Sequence, residues 1–216
     1  MIKLITTIAF LLLIGSPSFA ASKNLALGLE INPIPYVVFL VPGGSMIDIR
    51  GELIVSQYVS INVEYSHFGL NLGEESFNTL KEKSDEDDVL AKKVSSQSIG
   101  PGIRLYSSAF TDSFYFGINV LFGKSNINYL FHEEEIKAES TTLASAADFG
   151  YRWLWKNGFQ LRLGGILTFP QKESTDYTTA QENDQSSEGV EKLKETADEN
   201  GMKTLATIDL GLGVLF

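Results

Sequence analysis

The chain contains no cysteine and only two histidines, which excludes several kinds of site at once. Without cysteine there is no disulfide framework and no thiolate metal site. Stability must therefore come from the packing and backbone hydrogen bonding of the fold, which are most complete where every strand edge is paired. The sequence also lacks a phosphate-binding glycine loop and zinc-ligand spacing, so we expect no cofactor and no resident metal. The formal net charge of −10 argues against a nucleic-acid partner.

The N-terminus has the pattern of a secretory signal peptide. Lys3 precedes an apolar run over residues 4–14, and Ser18-Phe19-Ala20 forms a small-x-small cleavage site. We therefore predict that residues 1–20 are removed and that residues 21–216 form one barrel domain. No cysteine follows the predicted cleavage site, so we expect that the exported chain is not a lipoprotein.

No long hydrophobic run follows the signal peptide. The longest apolar stretch, Ile34–Val41, is interrupted by proline and is too short to cross a membrane as a helix. Such an apolar segment is unusual in an exposed loop. Tyr36, Val38 and Phe39 within it are candidate contacts for a lipid or a hydrophobic ligand.

The rest of the chain divides into eight segments in which apolar and polar residues alternate, as in strands with two unlike faces. Each has about the ten residues that a tilted membrane strand needs. The predicted segments are Asn24–Asn32, Met46–Val55, Tyr58–Phe68, Ser96–Tyr106, Ser113–Gly123, Glu139–Trp155, Gly158–Phe169 and Lys203–Phe216.

Alternation alone fits a soluble sandwich or lipocalin as well as a membrane barrel. Three further features favour the membrane barrel. Short turns near 56–57, 107–112 and 156–157 alternate with long loops near 33–45, 70–95, 124–138 and 170–202. The excess of acidic over basic residues lies in the three longest loops. One of these loops, 170–202, is also predicted to be disordered or marginally helical. Aromatic residues cluster near the predicted rims. We predict an all-β, up-and-down antiparallel transmembrane barrel of about eight strands.

The small or polar face of the predicted strands carries charges of both signs. Every base among them is arginine, which suits bidentate pairing with carboxylates in a confined space. An eight-stranded barrel is only just wide enough for side chains to fill. We therefore predict an ion-paired plug in the lumen, formed by Glu30, Asp48, Arg50, Glu52, Glu64, Arg104, Asp148, Arg152, Arg162 and Asp209.

The last strand resembles the C-terminal assembly signal of outer-membrane barrels. Asp209, Gly211, Val214 and Phe216 fill the polar, glycine, apolar and terminal aromatic positions of that signal. Residues 21–216 as a whole resemble the small eight-stranded outer-membrane barrels of the OmpA, OmpX and OmpW types. The likeness is to architecture and end signal and does not select one member.

This resemblance implies a place in the outer membrane of a Gram-negative-type bacterium, among lipid and lipopolysaccharide. It also implies biogenesis through periplasmic chaperones and the barrel-assembly machinery. We expect a monomer.

Candidate chemistry is sparse. Ser66, His67 and Glu64 include the residue types of a hydrolase triad, but adjacent strand residues point to opposite faces. His132 beside an acidic run, and the acidic stretch Asp85–Asp88, allow a metal or bridging divalent cation. The acidic stretch lacks the spacing of a calcium-binding loop. For His132 and for the acidic stretch, we therefore favour a solvated loop over a metal site.

The sequence therefore favours a non-enzymatic outer-membrane protein with a plugged lumen and acidic surface loops. Its role would be in envelope structure or surface interaction. A narrow channel or OmpW-like transporter for small or hydrophobic solutes is the alternative, and a lipid-modifying enzyme is the third.

Overall fold

A computed structural model describes residues 25–33, 44–81, 89–131, 134–179, 188–200 and 204–216. The described chain forms eight strands and two helices. In chain order they are β1 (Ala26–Ile31), β2 (Gly44–Ile54), β3 (Val59–Asn71), α1 (Glu74–Lys81), β4 (Leu90–Tyr106), β5 (Ser113–Phe131), β6 (Glu134–Leu154), β7 (Phe159–Thr179), α2 (Glu188–Asn200) and β8 (Leu205–Leu215).

The strands close into a barrel in which each pairs with its neighbours in the sequence. Every pairing is antiparallel, and β1 closes the ring against β8 with Gly28 opposite Leu215. The predicted fold class is confirmed, and each of the eight predicted segments corresponds to one strand.

The wall of the barrel is apolar outside and polar inside. Along β5, buried and exposed residues alternate, and the outward Ile118 is 57% exposed. The outward Ile208 on β8 is 72% exposed, whereas Arg104 and Asp148 point inward and are fully buried. A soluble β-protein would place these two faces the other way round, because burying the apolar face is what stabilises it in water.

Three short connections lie at one end of the barrel. Residues 55–58 and 155–158 are tight turns, and in the second Gly158 adopts a φ of 83°, which glycine tolerates at no steric cost. The longer connection, residues 107–112, folds into the barrel end. Its Ala109 is fully buried and donates its N–H to the Gln57 carbonyl at 2.6 Å.

Strands β4 to β7 run furthest beyond their predicted bounds. They have 17 to 21 residues, so most of the predicted loop at 124–138, and part of those at 70–95 and 170–202, is strand. The polarity of the two faces is inverted in this outer extension. On β5, Asn126 and Asn128 lie on the outer face, while Ile127 and Tyr129 lie on the face continuous with the lumen. Residues 170–202 were predicted to be disordered or marginally helical. The prediction was wrong for 170–179, which are strand, whereas 188–200 form the helix α2, in line with the helical alternative.

Helix α2 covers the inner face of the extension. Val190 is fully buried and Leu193 nearly so, and they form a cluster with Phe131 and Ile136. Two apolar residues one helical turn apart are enough to seat the helix, although its other side is charged. The extension is therefore a sheet with its apolar face covered, as in a soluble protein.

Several predicted features lie outside the described residues. They are the signal peptide over 1–20, the apolar segment with Tyr36, Val38 and Phe39, the acidic stretch Asp85–Asp88, and His132.

Candidate functional site: the polar lumen

The lumen site is assembled from alternate residues of all eight strands. Because the side-chain period of a strand is two, residues such as Glu52 and Arg50 on β2 share the inner face. In the antiparallel register, Glu30 on β1 lies opposite Arg50 on β2, and Arg50 lies opposite Glu64 on β3. The ten predicted lumen residues all point inward, and the structure brings nine of them into shared ion pairs.

Arg104 on β4 lies at the centre of the site. Its Nε donates to Asp148 Oδ2 at 3.0 Å, and its Nη1 donates to Glu52 Oε1 at 3.4 Å. All three side chains are almost completely buried. Glu52 also accepts hydrogen bonds from Ser60 Oγ at 2.6 Å and from the Tyr106 hydroxyl. Each charge therefore meets several partners, which a buried ion pair needs in order to offset the cost of desolvation.

Arg162 on β7 joins three carboxylates from three other strands. It lies 2.6 Å from Asp209, 3.0 Å from Glu30 and 3.6 Å from Asp148, measured between guanidinium nitrogens and carboxylate oxygens. Gln160 Nε2 donates to the other oxygen of Glu30 at 3.0 Å. This set ties β1, β6, β7 and β8 together through side chains as well as through the backbone.

Arg50 forms the outer end of the network. It pairs with Glu64 and lies 3.5 Å from Asp209 and 3.9 Å from Glu30. Asp48, one step further out on β2, accepts a hydrogen bond from Asn32 Nδ2 at 3.1 Å. Asp48 is thus the predicted member that joins the site through an amide rather than through a guanidinium.

Two tyrosines complete the site and were missed from the sequence. The Arg152 guanidinium stacks 4.2 Å from the Tyr106 ring centroid, and Arg104 lies 4.7 Å from that of Tyr115. A cation over an aromatic face is attracted to it, most strongly where water is excluded. The alternation could have located both rings, because each lies two residues from an inward residue on its strand.

The Tyr115 ring fits only because glycine lies opposite it. Gly150 and Gly164 face each other across β6 and β7. A Cβ at Gly164 would lie 2.2 Å from the Phe149 carbonyl oxygen and 2.3 Å from Tyr115 Oη, and one at Gly150 would lie 2.6 Å from the same hydroxyl. No side chain can occupy either position without displacing backbone or ring.

Apolar residues fill the barrel end beside the short turns. Ala26, Ile54 and Ala109 are buried there together with both tyrosine rings, and Leu215 packs against them. Arg152 reaches this layer, donating from Nη2 to the Ala109 carbonyl and lying 3.6 Å from Glu52. The connection over 107–112 is therefore held to the ionic layer by a charged hydrogen bond.

The other candidate residues do not come together as a catalytic or metal site. Ser66 lies on the inner face, 2.8 Å from Ser98 Oγ, and His67 lies on the outer face opposite Gln97. Within the described ranges, no three His, Asp or Glu side chains converge on a possible metal position. In the same ranges, neither helix is long and apolar enough to cross a membrane.

The residues of the predicted assembly signal lie on β8 and just beyond its end. Asp209 and Gly211 face the lumen, where Gly211 leaves room for Arg162. Phe216 pairs with Leu27 on β1 through two backbone hydrogen bonds of 2.7 and 3.1 Å. The chain end therefore sits at the seam where the barrel closes.

The outer face of the extension carries exposed ion pairs. Lys124 lies 3.7 Å from Glu139, which Lys137 also contacts, and Lys92 lies 3.3 Å from Glu135. The hydrogen bond from Lys137 and the charge of both neighbouring lysines lower the pKa of the Glu139 carboxyl below its usual range. These groups mark where the outer surface changes from apolar to polar.

No family model matches this chain, and no curated protein matches it. Among solved structures, a major outer membrane protein from Thermus thermophilus is similar to it, with a TM-score of 0.45 and 9% sequence identity. The alignment covers 89% of this chain and 98% of that one. The fold assignment stands on the strand order, register and burial described above.

Proposed function

We propose that this chain is a non-enzymatic β-barrel of the bacterial outer membrane with a closed polar lumen. The observation that carries the proposal is the polarity of the wall. Exposed large apolar side chains cover the outside, among them Leu27, Ile61, Ile118, Leu163 and Ile208. Such a surface is stable in hydrocarbon, and a closed ring of strands leaves no unpaired backbone edge there.

The closed lumen is supported by the burial of its charges. Arg104, Arg152, Glu52 and Asp148 have no more than 1% of their side-chain surface exposed, and an apolar layer lies beneath them. A barrel filled in this way acts through its surface and its stability rather than through conduction. We assign the acidic loops and the outer extension to envelope structure or surface interaction. Export with removal of residues 1–20, and assembly through the end signal, belong to the same proposal.

Conductance across a planar bilayer tests the closed lumen. The refolded wild type should give no steady conductance, and Arg104→Ala should introduce a leak because it removes the central side chain. Lys172→Ala, on the outer face of the extension, is the matched control and should stay silent. Steady conductance in the wild type would overturn the closed lumen.

The second candidate is a conduit for small or hydrophobic solutes, and one observation favours it. Above the ionic layer, the inward side chains are mostly small or apolar, including Met46, Phe68 and Leu121. An apolar solute entering from the outer end would meet compatible surface there. Wild-type conductance would place this function first.

A further inference from the structure

The outer wall carries a groove over β3, β4 and β5. Its volume is about 590 Å³ and its lining is apolar, with Ile61, Ile103, Leu105, Phe116 and Ile118 forming its sides. The groove lies within the apolar part of the wall, well away from the lumen. The outer wall is recessed at this groove, which leaves room for an apolar group to bind.

The register explains why the wall is recessed here. Ile99 lies opposite Phe122, and Ile103 lies opposite Ile118. Between these two rows of large side chains, Pro101 and Val120 present short ones. Pro101 also has no amide hydrogen to donate, and the pairing of β4 with β5 is interrupted at that point.

One cationic and two polar side chains lie above the groove on the same three strands, beyond the row formed by Ile99 and Phe122. His67, Gln97 and Lys124 are consecutive neighbours in one cross-strand row on the outer face. Lys124 is four residues beyond Val120, which is about 13 Å along a strand at roughly 3.3 Å per residue. The row therefore lies where the apolar wall gives way to polar surface.

The charge of this row is positive despite an acidic neighbour. Glu139 lies 3.7 Å from Lys124, but Lys137 also contacts it, so two lysines surround one carboxylate. Lys124 keeps half of its surface exposed, and His67 is partly exposed beside Gln97. A phosphate group at this level would meet an ammonium, an amide and an imidazole.

We infer that β3–β5 form a binding site for one phosphate-bearing membrane lipid. One acyl chain occupies the groove, and the phosphate binds at Lys124 and His67. The inference rests on the proposed function, because it places the wall in a bilayer. Phospholipids and the lipid part of lipopolysaccharide share the recognised chemistry, an acyl chain below a phosphate.

Native mass spectrometry of the refolded full chain in detergent tests this site. The added probes are phosphatidylglycerol, diphosphorylated lipid A and diacylglycerol, which has acyl chains but no phosphate. The wild type should retain one molecule of phosphatidylglycerol or lipid A and no diacylglycerol. Whether one or both phosphate lipids are retained identifies the source of the phosphate and supports the site in either case.

Two variants separate the groove from the headgroup contact. Val120→Trp fills the groove and should abolish retention, whereas Leu210→Trp, on the outer face of β8, should retain lipid as the wild type does. Lys124→Gln should weaken binding about fivefold, the contribution of one basic residue at an anionic membrane surface.

Equal retention of diacylglycerol, no retention by the wild type, or wild-type retention by Val120→Trp would overturn the site. Insertion of each variant into vesicles is measured alongside. A wild type that inserts but binds no lipid refutes the site alone, whereas a wild type that does not insert refutes the proposed function.

Discussion

Arginine occupies every buried cationic position in the described chain, namely Arg50, Arg104, Arg152 and Arg162. Each contacts acids on more than one strand or combines an acid with an aromatic ring. A lysine ammonium is a point charge, whereas a guanidinium presents five donors in a planar fork. Arginine is therefore favoured because the lumen is narrow. A few cations must each form hydrogen bonds and ion pairs with several carboxylates in a small space.

Removing one of these arginines should cost far more than removing a surface charge. Arg162→Met removes the nearer of the two guanidiniums that Glu30 and Asp209 share and leaves only Arg50, at 3.9 and 3.5 Å, so we expect a loss of about 3–5 kcal/mol in the free energy of unfolding. Lys137→Met removes an exposed pair and should cost less than about 1 kcal/mol. Urea unfolding of both variants in lipid vesicles measures the difference. Similar losses for the two variants would contradict a stabilising lumen network.

At the scale of the element, side chains alternate between the two faces along the whole of a strand. The outward face is apolar in the lower part of the strand and polar in the outer extension. On β5, Phe116 and Ile118 face outward in the lower part, and Lys124 and Asn126 face outward above. The inner face changes in the opposite sense, from Gly117 to Tyr129. Strands β4 to β7 are thus membrane-type in one half and soluble-type in the other.

This inversion explains what the sequence could and could not predict. The inward positions of Arg104 and Asp148 follow from the period of two and were predicted. The extension was predicted to be loop because the strands were recognised by apolar residues on the outward face. In the extension this face carries polar residues such as Asn126 and Asn128. The contact of Val190 with Phe131 and Ile136 could not be predicted, because it depends on the strands continuing beyond the apolar wall.

Helix α2 should depend on its contact with the extension. It has only 13 residues, and isolated helices of that length are marginal in water. Val190→Ser should therefore release the helix and increase the rate of tryptic cleavage at Lys192 and Lys194 while the barrel stays folded. Glu191→Ser, on the exposed side, is the control and should leave the cleavage rate unchanged. An unchanged rate in Val190→Ser would mean that α2 is held by other contacts.

At the scale of the whole molecule, three layers follow one another along the barrel axis. An apolar layer with Ile54 and Ala109 lies at the end with the short turns, and the ion-paired layer follows it. Beyond that, the extension and α2 project past the apolar wall. The outer face of the extension is polar, with Lys124, Lys137 and Glu139 exposed on it.

The membrane assignment makes a prediction that a soluble barrel would fail. Ile118 lies in the middle of the apolar wall and Asn126 lies above it, both outward and on the same strand. In a bilayer, Ile118→Arg should cost about 2–4 kcal/mol because the charge lies near the midplane, and Asn126→Arg should cost about 0–1 kcal/mol.

Exposed substitutions on a soluble protein usually change stability by less than about 0.5 kcal/mol, so in water both variants would behave alike. Unfolding free energies in lipid vesicles compare the two directly. A near-zero cost for Ile118→Arg would place the apolar wall outside hydrocarbon, and the outer-membrane proposal would then fall together with the lipid site that depends on it.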